Sequence, residues 1–185
     1  MALPRGGVPV AYEVARELGA ELDVVVARKV GVPWRQELGA GAVCADGPPV
    51  FDAGVLKFSG LTPAELEPVV ERERAEARRR LERYRGDRPP LQVDGRSVVV
   101  VDDGLATGVT ARAALAELRR RDAAHLTFAA PVCAVEPAAN LYGPADLVIC
   151  VHRPDDFVAV GRWYFDFTQV TDAEVVELLR SDPVP

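Results

Sequence analysis

Apolar and polar positions along the chain fall into short apolar runs alternating with helical periodicities. Leu22–Ala27 is a brief β-branched run, preceded by a helical stretch from Val10 to Leu18 with Gly19 placed as a C-cap. Ser97–Val101 is four valines after a serine, the pattern of a central parallel strand buried on both faces. Thr110–Arg121 follows as a helix with Ala114, Leu115 and Leu118 on one face. Leu126–Val132 and Asp146–Val151 read as two more strands, and Thr171–Leu179 as a closing helix with Asp172 and Glu174 in its first turn.

The middle of the chain has a different period. Thr62-Pro63-Ala64-Glu65 is a capping box with proline at the first helical position. It opens a long charged helix to about Arg85, in which Leu66, Val70, Ala77, Leu81 and Tyr84 recur at helical spacing. Glu76 with Arg80 and Arg78 with Glu82 are placed as i,i+4 pairs, which makes Arg78-Arg79-Arg80 a solvated face rather than a binding patch. Arg119-Arg120-Arg121 is read the same way, as a complement to a helix C-terminus. Helix–strand alternation of this kind predicts an α/β fold with a parallel sheet, whose ligands sit at the carboxyl ends of the strands. At 185 residues the chain suits one domain, and no linker or repeat divides it.

Composition narrows the partners. Asp and Glu total 28 against 22 Lys and Arg, a net charge of -6, which argues against electrostatic binding of nucleic acid. The cysteines, Cys44, Cys133 and Cys150, are widely spaced and lack a C-x-x-C pattern, so small buried thiols are expected rather than a zinc site. His125 and His152 are expected to be structural or surface residues. With no signal-peptide pattern and no apolar run near the ~20 residues needed to span a bilayer, the expectation is a soluble cytoplasmic protein.

Candidate chemistry lies directly after the strongest strand. Asp102-Asp103-Gly104-Leu105-Ala106-Thr107-Gly108-Val109-Thr110 leads straight into a helix. Its glycines allow close backbone approach, its threonines add hydroxyls, and the helix N-terminus presents free N–H groups, the makings of a phosphate cradle. Neither a Walker loop nor a dinucleotide fingerprint fits. Two carboxylates at the mouth would repel a bare anion, but they can accept bonds from ribose hydroxyls or hold Mg²⁺. A sugar phosphate with vicinal hydroxyls satisfies both halves.

The run Val98–Thr110 resembles the signature that binds 5-phosphoribosyl 1-pyrophosphate (PRPP) in type I phosphoribosyltransferases. That resemblance implies a parallel α/β fold with a small hood and a helical insertion. It places Asp102 and Asp103 on the ribose hydroxyls, and Ala106, Thr107, Gly108, Val109 and Thr110 around the 5-phosphate. Leu3-Pro4-Arg5-Gly6-Gly7 resembles the turn that receives pyrophosphate, where Arg5 offers a charged fork and Gly6 and Gly7 close backbone access. Arg28 and Lys29 stand where relatives carry a basic residue before a mobile closing loop, so both are candidate pyrophosphate ligands. Pro154–Gly161 and Asp166-Phe167 resemble a base-binding segment. They make Phe157 or Trp163 candidates for stacking and Asp166 a hydrogen-bond acceptor; packing in the core is an equal role for any one of Phe157, Tyr164, Phe165 and Phe167.

The implied activity is pentosyl transfer in nucleotide metabolism: a glycosyltransferase that passes the phosphoribosyl group of PRPP to a nitrogenous base, with a purine favoured. Arg5, Lys29, Asp102 and Asp103 would be its catalytic set, and Mg²⁺, held through Asp102 and Asp103, its cofactor. A homodimer is expected by the same resemblance. Ala106 stands where 6-oxopurine enzymes carry an acid, whereas adenine-type enzymes also have Ala there. Relatives carry a helix and most of a strand ahead of the pyrophosphate turn, so a short form lacking part of the hood is expected. The alternative of the same fold is a non-catalytic PRPP-binding regulator. A sugar-phosphate hydrolase or kinase ranks lower, for want of a nucleophile or Walker loop, and a remnant with a decayed site stays open.

Overall fold

The structure is a computed structural model and describes residues 1–181. In chain order its elements are α1 (Gly7–Leu18), β1 (Ala27–Val32), β2 (Arg35–Cys44), β3 (Val50–Phe51), α2 (Ala53–Ser59) and α3 (Glu67–Arg85). Then follow β4 (Ser97–Val101), α4 (Val109–Arg120), β5 (His125–Val132), α5 (Val135–Ala139), β6 (Leu147–His152) and α6 (Asp172–Arg180).

The central sheet is parallel, as expected from the alternation. β4 pairs with β5 and β5 with β6, in a register that aligns Val100 with Phe128 and Phe128 with Val148. Val100, Leu126 and Phe128 are fully buried, and each such side chain contributes about 1.5–3 kcal/mol of apolar transfer. On the other side of β4 the sheet is continued by the first three residues. The Leu3 amide donates to Val101 O (2.9 Å) and the Val101 amide to Met1 O (2.9 Å). Beyond them the Ala2 amide donates to Asp23 O (2.8 Å) and the Val25 amide to Ala2 O (3.0 Å). The spatial order is therefore residues 22–26, residues 1–3, β4, β5, β6.

Two expectations change here. The Leu22–Ala27 run is buried at Leu22 through Val26, yet it forms only a single bridge, at Val24, because Pro4 ends the neighbouring ladder and has no N–H to continue it. From Ala27 the chain turns away into an antiparallel sheet of its own, β1-β2-β3. The expected mobile loop after Lys29 is thus a β-hairpin. Its glycines obscure the alternation in sequence, and register shifts flank Gly31, where an added Cβ would come 2.4 Å from Gln36 O. Val30, Val32, Ala40 and Val43 of this hairpin are buried with Leu66 and Val70, at and near the start of α3.

The capping box at Thr62 and Glu65 is present, followed by a short 3₁₀ turn (Ala64–Leu66) that passes into α3. Glu76 pairs with Arg80 (2.6 Å) as expected. Arg78 instead donates to Ala45 O (2.9 Å), since the β2 end lies closer to it than Glu82. α6 also opens on a capping box, Thr171 with Glu174, and Tyr84 from α3 donates its hydroxyl to Asp172 there (2.7 Å).

The cysteines divide. Cys44 is a free, buried thiol, pushed up to about 12 by burial. Cys133 and Cys150, expected as isolated thiols, form a disulfide. Cys150 lies in β6 and Cys133 directly after the adjacent strand β5, a neighbourhood that a separation of 17 residues does not reveal.

Candidate functional site

The site forms where β4 ends. The Asp102 amide is still held by Ala129 O (3.1 Å) of β5, and the Asp102 carboxylate accepts from the Asp103 amide (2.9 Å). Gly104 then packs where a Cβ would lie 2.6 Å from Val160. Leu105 is pinned on both sides, its amide donating to Val132 O (2.9 Å) and its carbonyl accepting from the Ala134 amide (2.8 Å). Past this anchor, Ala106 and Thr107 are exposed. Gly108 takes a left-handed conformation (φ 75°) as N-cap of α4, and no side chain caps the helix. Its first-turn amides, which have no intrahelical acceptor, remain available to an anion.

The turn at Pro4–Gly7 lies against these acids. An added Cβ on Gly6 would sit 1.7 Å from Asp103 Oδ2, and one on Gly7 2.7 Å from Val101 O, so only glycine fits at either position. The Pro4–Arg5 peptide is cis. Arg5 reaches Asp172 at the start of α6 (3.6 Å). Two sequence patches nearly a hundred residues apart thereby become one surface. A cavity of about 420 Å³ opens beside them, lined by Arg5, Gly6, Asp103, Tyr164, Asp166 and Phe167 among others.

Electrostatics at the acid pair are unusual for a surface. Burial pushes the Asp102 carboxyl well above its ordinary value, and the adjacent charge of Asp103 adds to the shift. Asp103 is raised too, chiefly by burial. No cation lies within ion-pair distance of either carboxylate among the described residues. The pair is therefore an uncompensated negative site that gains from a hydroxyl donor or a divalent cation.

The remaining candidates separate by position. Asp166 borders the cavity, but its carboxylate accepts from the Thr168 amide (2.9 Å) and hydroxyl (2.6 Å), bonds that lower its pKa. Trp163 packs its ring on His152, with centroids 4.6 Å apart. Phe157 is half-buried and is not among the residues lining the cavity. Arg28 and Lys29 face a different cleft, beside Arg72 and Glu73. Arg28 is paired there with Glu73 (2.9 Å), and the Lys29 ammonium donates to the Glu37 carbonyl. They are not brought to the Arg5 turn, because the hairpin carries them away along its own sheet.

Sequence reasoning left Tyr164 among the packing aromatics. Its hydroxyl donates to Asp103 O (2.5 Å), and burial, with the two acids nearby, pushes its pKa up to about 12. It thus stays a donor at neutral pH. No local pattern marks it, since its partner lies 61 residues away.

Comparison with known proteins adds the family. The profile of the family described as "Phosphoribosyl transferase domain" matches residues 1–162. Proteins named "Putative phosphoribosyl transferase" from two strains of Mycobacterium tuberculosis, CDC 1551 / Oshkosh and ATCC 25618 / H37Rv, are each 44% identical over 179 residues. Those matches cover 97% of this chain but only 40% of the relatives' length. A crystal structure of TT1426 from Thermus thermophilus superposes with a TM-score of 0.81 at 43% identity, covering 97% of this chain and 85% of that one. With a family match over most of its length and the two glycine-bearing segments meeting at the end of β4, the chain belongs to the phosphoribosyl transferase domain family.

Proposed function

We propose that the chain binds PRPP at the end of β4 and transfers its phosphoribosyl group to a nitrogenous base, with release of pyrophosphate. The observation that carries this reading is the contact of Gly6 with Asp103, which sets a glycine-rich basic turn against an acid pair and an open helix N-terminus. A doubly phosphorylated sugar has this distribution of needs. Its 5-phosphate suits the amides at 106–110, its vicinal hydroxyls suit Asp102 and Asp103, and its pyrophosphate suits the turn at Arg5–Gly7.

The chain's own residues would hold the ribosyl centre at both ends, so that the acceptor nitrogen meets C1 in line with the departing group. Arg5 would stabilise charge developing on that group. No covalent protein intermediate is required. The cavity beside Asp103, with Tyr164, Asp166 and Phe167, is the place for the acceptor, and a purine remains the favoured class. Lys29 joins the catalytic set only if the hairpin moves.

Mg²⁺ fits this donor set in one way. Among the described residues there is no group of three or more His, Cys, Asp or Glu side chains able to hold a metal by themselves. A cation bound by one or two carboxylates and completed by substrate phosphates needs no such group. Asp102 and Asp103 would supply those carboxylates, and the metal, when bound with substrate, would neutralise pyrophosphate charge. Among the described residues no helix is long and apolar enough to cross a membrane. A cytoplasmic location and a homodimer complete the proposal.

The test is calorimetric titration of PRPP with Mg²⁺ into the chain, beside an Asp102→Asn/Asp103→Asn double variant. Saturable binding lost by the variant supports the reading, after which bases are screened for pyrophosphate release. Binding without turnover on any base would favour a PRPP-responsive regulator instead. Absence of binding by the intact chain would sink the reading.

A further inference from the structure

The segment at 160–168 and the acid pair meet at two points. Val160 closes over Gly104, leaving no room for a Cβ, and the Tyr164 hydroxyl donates to the Asp103 carbonyl at 2.5 Å. Tyr164 is itself fixed by Phe167, ring centroids 5.1 Å apart, and Phe167 in turn borders the cavity beside Asp103. One residue before Tyr164, Trp163 rests on His152 at the end of β6. The bond to Asp103 is long-range and made to backbone. It constrains the direction of the Asp103–Gly104 peptide, and with it the backbone that carries the Asp103 carboxylate next to Asp102.

We propose that Tyr164 is a positioning residue that couples the acceptor-side segment 160–168 to the Asp102–Asp103 pair, so that a ligand on the acids is felt across the cavity. The proposal rests on the PRPP reading above and deepens it by naming how the two halves of the site communicate. Tyr164 touches neither the reacting carbon nor the departing group. Its effect passes through Asp103.

A bound sugar phosphate would draw both carboxylates towards its hydroxyls and shift the backbone at Asp103 with its carbonyl. Tyr164 would follow, because its hydroxyl keeps the Asp103 carbonyl as acceptor, and Trp163 would change its contact with His152. The indole is a built-in reporter. The chain's other tryptophan, Trp34, lies at the exposed turn of the β1–β2 hairpin and is removed by Trp34→Phe without disturbing the core.

The experiment therefore uses the full chain carrying Trp34→Phe, titrated with PRPP and Mg²⁺ by calorimetry and by tryptophan emission in parallel. Tyr164→Phe is made in the same background; it deletes one oxygen and keeps the ring on Phe167. The expected result is a saturable emission change with the same midpoint as the heat. In Tyr164→Phe, PRPP is expected to bind on the order of tenfold more weakly, the worth of one buried hydrogen bond, and the emission change to fall to less than about a third. Thermal melting of both proteins shows whether the variant is folded at the titration temperature. Binding heat without any emission change in the parent would overturn the coupling and leave the PRPP reading intact. So would a Tyr164→Phe variant that binds and reports like the parent, reducing Tyr164 to packing. If the parent shows neither heat nor emission change, the PRPP reading fails, and the coupling with it.

Discussion

Asp23 and the Asp102–Asp103 pair are carboxylates set against the same parallel sheet, and their surroundings differ in one respect that separates scaffold from site. Asp23 is nearly inaccessible, at 1% of its side-chain surface, and every part of it is answered. Arg85 pairs with it at 2.9 Å, and the amides of Val24 (2.8 Å) and Leu91 (3.3 Å) donate to it. Asp102 and Asp103 have only each other and backbone amides, and burial raises both pKa values. The first acid is matched by a cation and the second pair is not, and strongly shifted carboxylates of that kind mark a candidate functional site.

The largest effect is expected from breaking the satisfied acid. Arg85→Ala leaves Asp23 buried and unpaired and should cost about 3–5 kcal/mol of folding stability, measured by urea unfolding. A loss below about 1 kcal/mol would show that water replaces the guanidinium and that the contrast between the two acids is overdrawn.

Next comes the steric half of the site. Gly6→Ala drives a methyl into Asp103 Oδ2 and should lower stability by about 1–3 kcal/mol, the usual range for overpacking. PRPP binding should be abolished along with it. Retained binding, followed by calorimetry, would mean that the turn and the acids do not act as one surface.

Asp102→Asn sharpens the comparison by its sign. Because the folded-state pKa of Asp102 is raised, the folded protein binds its proton more tightly than the unfolded chain, and the charged form is a penalty at neutral pH. The variant should therefore melt higher than the parent at pH 7. The gain should shrink as pH falls through the raised folded value and vanish below the ordinary value of 3.8. A lower melting temperature at pH 7 would place Asp102 with Asp23, as a scaffold acid. The smallest effect is expected at Arg79, whose pair with Glu76 is solvent-exposed. Arg79→Ala should leave the denaturation midpoint where it stands in the parent, and a clear drop would give this exposed pair a structural weight that solvent normally denies it.

Where the chain signals structure through contiguous residues, the reading and the structure mostly agree, the Leu22–Ala27 run with its single bridge being the exception. The four valines after Ser97 form β4 with the expected limits, because β-branched residues in an unbroken run suit only a doubly covered strand. Thr62 and Thr171 open helices because each carries its own Glu three residues on. The acid pair and the loop to Thr110 are legible for the same reason: strand, turn and helix start are consecutive, and their spacing alone sets the cradle.

Features that depend on what arrives from elsewhere were hidden. Glycines in β1 and β2 erase the alternation that would mark a hairpin, so Arg28 and Lys29 read as loop residues near a phosphate when Arg28 pairs with Glu73 and Lys29 with a β2 carbonyl. Cys133 and Cys150 become neighbours only because β5 and β6 lie side by side. Tyr164 becomes a site residue only through a carbonyl 61 positions away.

By itself, the sequence determined the alternating α/β order, the helix starts and the glycine-bearing turn after β4, since propensity, capping and backbone freedom act over a few bonds. Tertiary structure alone decided that Gly6 presses on Asp103, that Asp23 is paired with a cation while Asp102 is not, and that the Tyr164 hydroxyl reaches the Asp103 carbonyl. Those are relations between chain segments, set by burial and hydrogen bonding across the sheet, and no local spacing encodes them.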